Sequence, residues 1–396
     1  MTQYEVYATR WDDPRKVEEL LPARGLQFSL PLSDHGTASF AATVEPGRSL
    51  WRQAVGLPLS GLLIARDGQP VWSGWITDEQ QTADRSFAFT AKEWGSFFTQ
   101  TLATPRVYAA DTWTDAGIFR DLVTAAQAQP GQNVKVTVPA GTLPGTPTGL
   151  EIKAWENATT EAKFRTLADA DGGPEWYFGT GGTLANPTRP LVLGRRLGAV
   201  DPVAELQYVA QTVDWKPTAA APGLVLLSDL FPAGPGTAAV EDLPRRGGNV
   251  IAVSRTRNLS RSATRVVAVG DGQDAAQLQR ETPPSPLLGR GWPRLTAVTS
   301  HADVGDPDAL SRLARADLAA MSGIATRYGL TSLDGDPDWT QVPRGSTMQV
   351  KLDTDVYAGP RPYTFTSRLL NTTVAVDDTT GRTQVTWELA ETMEAS

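Results

Sequence analysis

Apolar and polar residues alternate with a period of two near both ends of the chain, and with a period near 3.6 in three stretches between them. Leu26–Leu32 and Thr37–Val44 read as extended runs on either side of a polar turn, Ser33-Asp34-His35-Gly36. Leu62–Arg66 runs into Asp67-Gly68, a hairpin signal because both residues tolerate positive φ, and the chain returns as Val71–Ile76. Residues 77–84 read as a polar break. Phe87, Phe89 and Ala91 then alternate with Ser86, Ala88 and Thr90, the period of a half-buried strand. The block closes with Lys92-Glu93-Trp94 and Phe97-Phe98.

Beyond it the period changes. Thr112–Gln127 carries Ile118, Phe119, Leu122 and Val123 at helical spacing, with Asp111 or Thr112 as N-cap and Pro130-Gly131 past its end. A Gly/Pro/Thr loop over 139–149 precedes a second helix that starts at Asn157 or Thr159, carries Ala162, Leu167 and Ala168, and stops at Gly172-Gly173-Pro174. Glu175–Phe178 and Pro190–Leu193 read as strands, and 217–247 as a long surface excursion around the apolar island Leu224–Leu227. Ile251, Val253 and Arg255 alternate up to a turn at Asn258–Ser262, and Arg265–Val269 returns as a second hairpin. Pro307–Met321 is the clearest helix: Asp306 caps it, Leu310, Leu313, Ala314, Leu318 and Met321 form one stripe, and Gly323 ends it.

Strand patterns close the chain. Met348, Val350 and Leu352 share a face, Phe365, Leu369 and Val374 lie in later extended runs, and Asp378–Gly381 makes a turn. Thr383, Val385, Trp387 and Leu389 form the last alternating strand. Residues 62–94 and 347–388 therefore follow one order: apolar strand, turn, strand, polar turn, alternating strand. They end in Glu93-Trp94 and Trp387-Glu388. That repetition suggests two related small β-domains with α/β material inserted between and inside them.

Composition narrows the classes. The 396 residues include 36 glycines and 29 prolines, a combined share above the roughly 12% of ordinary proteins, which favours short strands and frequent turns. There is no cysteine, so disulfides, thiolate metal sites and cysteine nucleophiles are excluded. No apolar run is long enough to span a membrane, and Met1–Glu5 lacks a basic or apolar leader, so synthesis in a cytosol is expected. Lys+Arg number 36 against 44 Asp+Glu, a net charge of −8 that suits generic nucleic-acid binding poorly.

Candidate chemistry is sparse. Ser33-Asp34-His35 has triad residue types, but neighbours on an extended segment point to opposite faces, so it reads as a polar turn. His301 reads as structural or exposed. Asp334-Gly335-Asp336-Pro337-Asp338 opens like a calcium loop, yet Trp339 stands where glycine is needed and Gly345 where a bidentate Glu is needed. Gly179-Thr180-Gly181-Gly182 lacks the Lys-Ser/Thr of a phosphate loop and reads as a hairpin. The carboxylate pairs Asp12-Asp13, Asp169 with Asp171, Asp353 with Asp355, and Asp377-Asp378 read as solvated turns, and Trp176 and Phe178 as core. No catalytic, cofactor or metal residue is assigned.

One charge pattern stands out. Between Asp242 and Asp271 there is no acidic residue, while Arg245, Arg246, Arg255, Arg257, Arg261 and Arg265 accumulate. Arg255, Arg257, Arg261 and Arg265 are read as a protein interface at which arginines meet carboxylates. The alternatives are a solvated edge, since charge on an edge strand blocks unwanted pairing, and a nucleic-acid patch.

The stretch Arg66-Asp67-Gly68-Gln69-Pro70-Val71-Trp72-Ser73-Gly74-Trp75-Ile76 with Glu93-Trp94, then Leu167-Ala168-Asp169 running into Gly172–Phe178, resembles phage tail hub proteins. The Asn249–Gly270 pattern, the helix at 307–321 and the strands at 347–389 follow in the same order. The family is the baseplate hubs, or minor tail proteins, of siphophages infecting actinobacteria. The resemblance implies a mainly β fold with α/β insertions: two related small antiparallel β-barrels plus an α+β domain. The first barrel would span 1–105, the inserted domain 106–245 and 272–343, and the second barrel 246–271 and 344–396.

It also implies a homotrimeric virion protein that adapts the sixfold tail tube or distal tail protein above to a threefold tip below and lines the DNA exit channel. Tail-tip or fibre proteins, and the tape measure protein, are its other implied partners, with no sequence-specific nucleic-acid binding. Positions facing the bore are expected to be acidic or neutral, and the Arg245–Arg265 cluster to face protein. The absence of a peptidase residue set, and an end at Ser396, fit a minimal hub without enzymatic activity. Two other readings stay open: a hexameric distal tail protein, and a cell-wall glycan-binding or hydrolysing protein that uses its tryptophans as stacking platforms.

Overall fold

A computed structural model describes residues 3–15, 21–43, 60–83, 85–170, 172–209, 249–272, 277–301, 306–333, 335, 337–353, 363–378 and 382–394. The protein is mainly β, as expected. It divides into two compact units, Met1–Ala252 with Thr331–Trp387, and Val253–Leu330 with Glu388–Ser396.

The first unit begins with six strands: β1 (Tyr4–Arg10), β2 (Ala23–Pro31), β3 (Thr37–Thr43), β4 (Ser60–Arg66), β5 (Gln69–Ala83) and β6 (Ser86–Glu93). They lie in the order β1-β4-β5-β6-β3-β2, every neighbour antiparallel. Alternation sets the buried face: Ala38, Phe40, Ala42, Phe87, Phe89 and Ala91 are all buried, and the rings of Phe40 and Phe89 stack 5.1 Å apart. Asp67 and Gly68 both take positive φ, 50° and 77°, as the tight β4–β5 hairpin requires. The structure corrects the polar break over 77–84. β5 runs on to Ala83, paired with β6 through Asp78↔Thr90, Glu79↔Phe89 and Gln81↔Phe87, a stretch too polar on both faces to carry a strand period.

A 3-10 helix, Trp94–Gln100, carries the chain into a mixed layer of β7 (Arg106–Tyr108), α1 (Asp115–Ala128), β8 (Val136–Thr137), β9 (Leu150–Ile152), α2 (Thr160–Ala168), β10 (Glu175–Phe178), β11 (Gly181–Gly182) and β12 (Pro187–Gly194), after which β13 (Ala204–Val209) returns to the large sheet. α1 starts later than expected. Thr112 and Trp113 N–H groups donate to Ala109 O in a preceding turn, and Thr114 is the cap, its Oγ accepting from Gly117 N at 3.1 Å. Thr159 caps α2 in the same way. The apolar faces of both helices meet Trp94, Phe98, Trp176 and Phe178 in one aromatic core, where Phe119 and Phe164 stack at 4.4 Å. Into this core reaches Arg189 of β12. Its guanidinium lies 3.6 Å over the Trp94 ring and donates to the carbonyls of Arg10, Trp11 and Val134 at 2.6–2.9 Å, and burial lowers its pKa to about 9.

The remaining strands are β14 (Val250–Asn258), β15 (Arg265–Val269), β16 (Gln279–Glu281), β17 (Thr296–Ser300), β18 (Ile324–Leu333), β19 (Thr347–Asp353), β20 (Tyr363–Val376), β21 (Thr383–Leu389) and β22 (Thr392–Glu394), with α3 over Pro307–Met321. In the first unit β20 pairs antiparallel with β2, from Gln27↔Ala375 to Pro31↔Asn371. The N- and C-terminal β-blocks thus share one sheet. β20 also pairs with β19, which pairs parallel with β13. Met348, Val350, Leu352, Val385 and Trp387 are fully buried, as their alternation predicts.

In the second unit β16, β15 and β17 form a three-stranded sheet against which α3 packs Leu310 and Ala314 beside Ala268. α3 has the predicted bounds, and the Asp306 carboxylate accepts from Asp308 N and Ala309 N. β14 neighbours β18, and β22 pairs antiparallel with β18. The expected β14–β15 hairpin does not form. After the turn, Ser262, Ala263 and Thr264 are buried, and the N–H groups of Ala263 and Thr264 donate to Met321 O and Leu295 O, which leads β15 into the other sheet.

Ion pairs fasten the terminal blocks of the first unit. The fully buried Glu93 carboxylate accepts from Arg344 Nη2 at 2.7 Å and from Gly36 N at 2.8 Å, while the Arg344 guanidinium lies 4.5 Å over the Tyr177 ring. Burial raises the Glu93 pKa and Arg344 draws it back. Glu175 pairs with Arg368, and Asp338, which caps the 3-10 helix Trp339–Gln341, pairs with Arg66 at 2.8 Å. Arg344→Met leaves the Glu93 charge buried without a cation and is expected to cost about 3–5 kcal/mol. Urea unfolding checks this: Glu93→Gln combined with Arg344→Met should recover much of the loss, and an unshifted midpoint for the single variant would rule out the coupling.

Candidate interaction surface

The arginines of the second unit gather at β14, the turn after it and β18. Arg255 is half-buried, its guanidinium 5.9 Å from the Tyr328 ring centre. Arg257 points to the same face of β14, is exposed, and has no ion pair among the described residues. Arg261 follows in the turn, 3.0 Å from Glu391, and Arg327 of β18 reaches the same carboxylate at 3.2 Å. Arg265 sits apart on β15, paired with Glu281. Leu259, 53% exposed, lies in the turn between Arg257 and Arg261. The carboxylates that Arg261 and Arg265 meet thus belong to their own chain, and Arg257 meets none among the described residues. Arg245 and Arg246 lie outside the described residues.

Arg327 and Glu391 were missing from the sequence reading. Both come from segments far from the arginine-rich stretch, and only the β14–β18 neighbourhood and the return of the chain through β22 bring them near. Counted on the sequence, the second unit holds ten arginines, no lysine and ten carboxylates, so the excess negative charge of the chain belongs to the first unit.

On the first unit, the far half of β5 is acidic. β4 accompanies β5 only as far as Gly61↔Trp75, and from Ile76 to Ala83 the second edge of β5 has no strand beside it among the described residues. Asp78 is exposed and Glu79 half-buried there, neither in an ion pair among the described residues.

The polar turn at Ser33–Gly36 differs from its sequence reading in one respect: the His35 side chain is only 8% exposed. Its ring packs 5.0 Å from Trp176 and 6.2 Å from Phe178, Nε2 is 3.6 Å from Glu161, and neither ring nitrogen has a hydrogen-bond partner among the described residues. Arg165 bridges Asp34, at 2.8 Å, and Glu161. Burial outweighs the nearby carboxylates Glu161 and Asp34 and holds the His35 pKa down to about 4. Ser33 Oγ accepts from Trp176 N at 3.3 Å, so these three residues form a packed turn in place of a triad.

The other candidates are structural in their contacts. His301 Nε2 lies 2.8 Å from Asp317. Asp12 and Asp13 pair with Arg10 and Arg15. Gly181 and Gly182 pair with Thr188 and Pro187 in the expected hairpin, and Trp176 and Phe178 are core. Asp171, Asp334, Asp336, Asp355 and Leu224–Leu227 lie outside the described residues. Among the described residues no group of three or more His, Asp or Glu side chains is placed to hold a metal ion, and no helix is long and apolar enough to cross a membrane.

No family model matches the chain, and no curated protein matches it in sequence. Its fold, however, is shared with solved structures along its whole length. A tail protein from Neisseria meningitidis superposes with a TM-score of 0.57 at 13% identity, over 98% of this chain and 96% of that one. The 43 kDa tail protein of prophage MuSo2 from Shewanella oneidensis gives 0.56 at 10% identity, over 98% of both chains. A chain of the Francisella PdpA–VgrG complex gives 0.53 at 7% identity, over 100% of this chain and 59% of that one.

The buried imidazole has a pH signature. Because the folded-state pKa lies below the ordinary 6.5, the unfolded chain takes up a proton that the folded chain refuses, and stability falls as pH drops from about 6.5 to about 4. His35→Phe keeps a ring against Trp176 and Phe178 and removes the titration. Its melting temperature should fall less steeply than the wild type's across that window, and equal slopes would show that His35 does not titrate as described.

Proposed function

We propose that this chain is a structural component of a phage-type tail tip: a trimeric hub that adapts a sixfold tail tube or distal tail protein to a threefold tip. The observation that carries this reading is the end-to-end likeness in fold to two tail proteins, which spans nearly all of this chain and of each of them. The whole architecture is shared, both β-blocks and the mixed layer between them.

The physical logic is symmetry matching. A chain with two comparable β-surfaces presents six of them when three copies close a ring, and a sixfold partner then meets near-equivalent contacts. The antiparallel junction of β2 with β20 supports this, since it makes the terminal blocks neighbours in one sheet. The tail tube or distal tail protein would bind on one side of the ring, and tail-tip, fibre or tape measure proteins on the other. The net charge of −8 suits a channel wall that must let DNA pass without holding it.

Light scattering of the purified protein tests the trimer. The expected mass is about three times the 42.5 kDa protomer, with threefold rings in negative stain. A hexamer would instead point to a distal tail protein, and a monomer across the micromolar range, with no rings, would overturn the reading.

A further inference from the structure

Two strand edges of this chain carry opposite charge. β14 pairs with β18 on one side and has no strand on its other side among the described residues. Within the second unit its Val253–Asn258 portion bears Arg255 and Arg257, and the turn beyond adds Leu259 and Arg261. In the first unit, β5 has no strand on its outer side from Ile76 to Ala83 among the described residues and bears Asp78 and Glu79. The six residues Val253–Asn258 span about 20 Å of extended chain and fit within the eight of Ile76–Ala83.

An open edge is a template for pairing, and charge decides with which strand. Two copies of β14 laid edge to edge would oppose arginine with arginine, and two copies of β5 would oppose carboxylate with carboxylate. Only the unlike combination sets opposite charges side by side. We infer that β14 of one copy docks along the outer edge of β5 of a second copy, with Arg257 facing the Asp78–Glu79 stretch. Such a contact is heterologous, running head to tail, so it closes into a ring or continues as a filament and cannot form a twofold dimer. It repeats between chains the device that β2 and β20 use within one. Glu391, shared by Arg261 and Arg327, leaves Arg257 as the cation available to the partner. The inference deepens the hub reading above and rests on it, because it names the surface through which the copies meet.

The chain has no cysteine, which makes site-directed cross-linking clean. Asp78→Cys and Arg257→Cys are made separately, both at positions without an ion pair among the described residues, and circular dichroism checks that each folds. A short bismaleimide spans a shift of a residue or two in register. Each variant alone should give only background cross-linking, and their equimolar mixture should give a covalent dimer as a major product. In parallel, Arg257→Asp should raise the concentration for half-assembly by about tenfold, and Asp78→Arg in the same chain should restore it. If the wild type is trimeric but the mixture does not cross-link and the charge reversal has no effect, this contact is wrong while the hub reading stands. If the wild type is monomeric, the hub reading fails and takes this one with it.

Discussion

The structure depends on one long-range pairing: five residues of β2 against five of β20, joining segments that lie about 350 positions apart in the chain. Without it the N-terminal block ends in an open β2 edge and the C-terminal block loses its strand neighbour in the N-terminal block. The pairing is guarded at one end by a buried charge. Glu93 closes β6, takes the Gly36 N–H and the Arg344 guanidinium, and thereby ties the β2–β3 turn to the segment that leads into β19. Taking two charges out of water gains little net stability. It does penalise registers that leave either one alone, which a sheet assembled from distant segments needs more than it needs another apolar contact.

The aromatic core under the mixed layer is the second constraint. Trp94 and Phe98 enter it from the strand block through a short 3-10 helix, and Arg189 locks the same tryptophan to the chain just past β1. The α/β segment is therefore fused to the β-block by shared side chains and does not hang from a linker. His35 is buried as a by-product: the turn that carries it is covered by Trp176 and Phe178, and Gly95 has to be glycine because a Cβ there would meet Phe178 at 2.1 Å.

Much of this was legible in the sequence where local rules decide. α3 has its predicted bounds because Asp306, Pro307 and Gly323 mark its ends independently of packing, and β6, β19 and β21 show plain alternation because one face of each is buried. What escaped was non-local. The far half of β5 is polar on both faces and looks like a loop until β6 is beside it. The start of α1 was misplaced because Asp111 and Thr112 are good caps that a turn consumes first. β14 and β15 resembled a hairpin because nothing in their own residues shows that Ala263 and Thr264 are held by Met321 and Leu295. The arginine surface was half visible: the run of arginines is in the sequence, whereas Arg327 and Glu391 reach it only through topology.

The proposed hub requires one chain to supply two comparable β-surfaces to a threefold ring. A cryo-electron reconstruction of the assembled protein tests it most directly. A trimeric hub would show a ring of three chains in which six β-blocks alternate around the bore and the two blocks of one chain occupy near-equivalent positions. A ring of six chains, or one in which only a single block of each chain faces the bore, would contradict it.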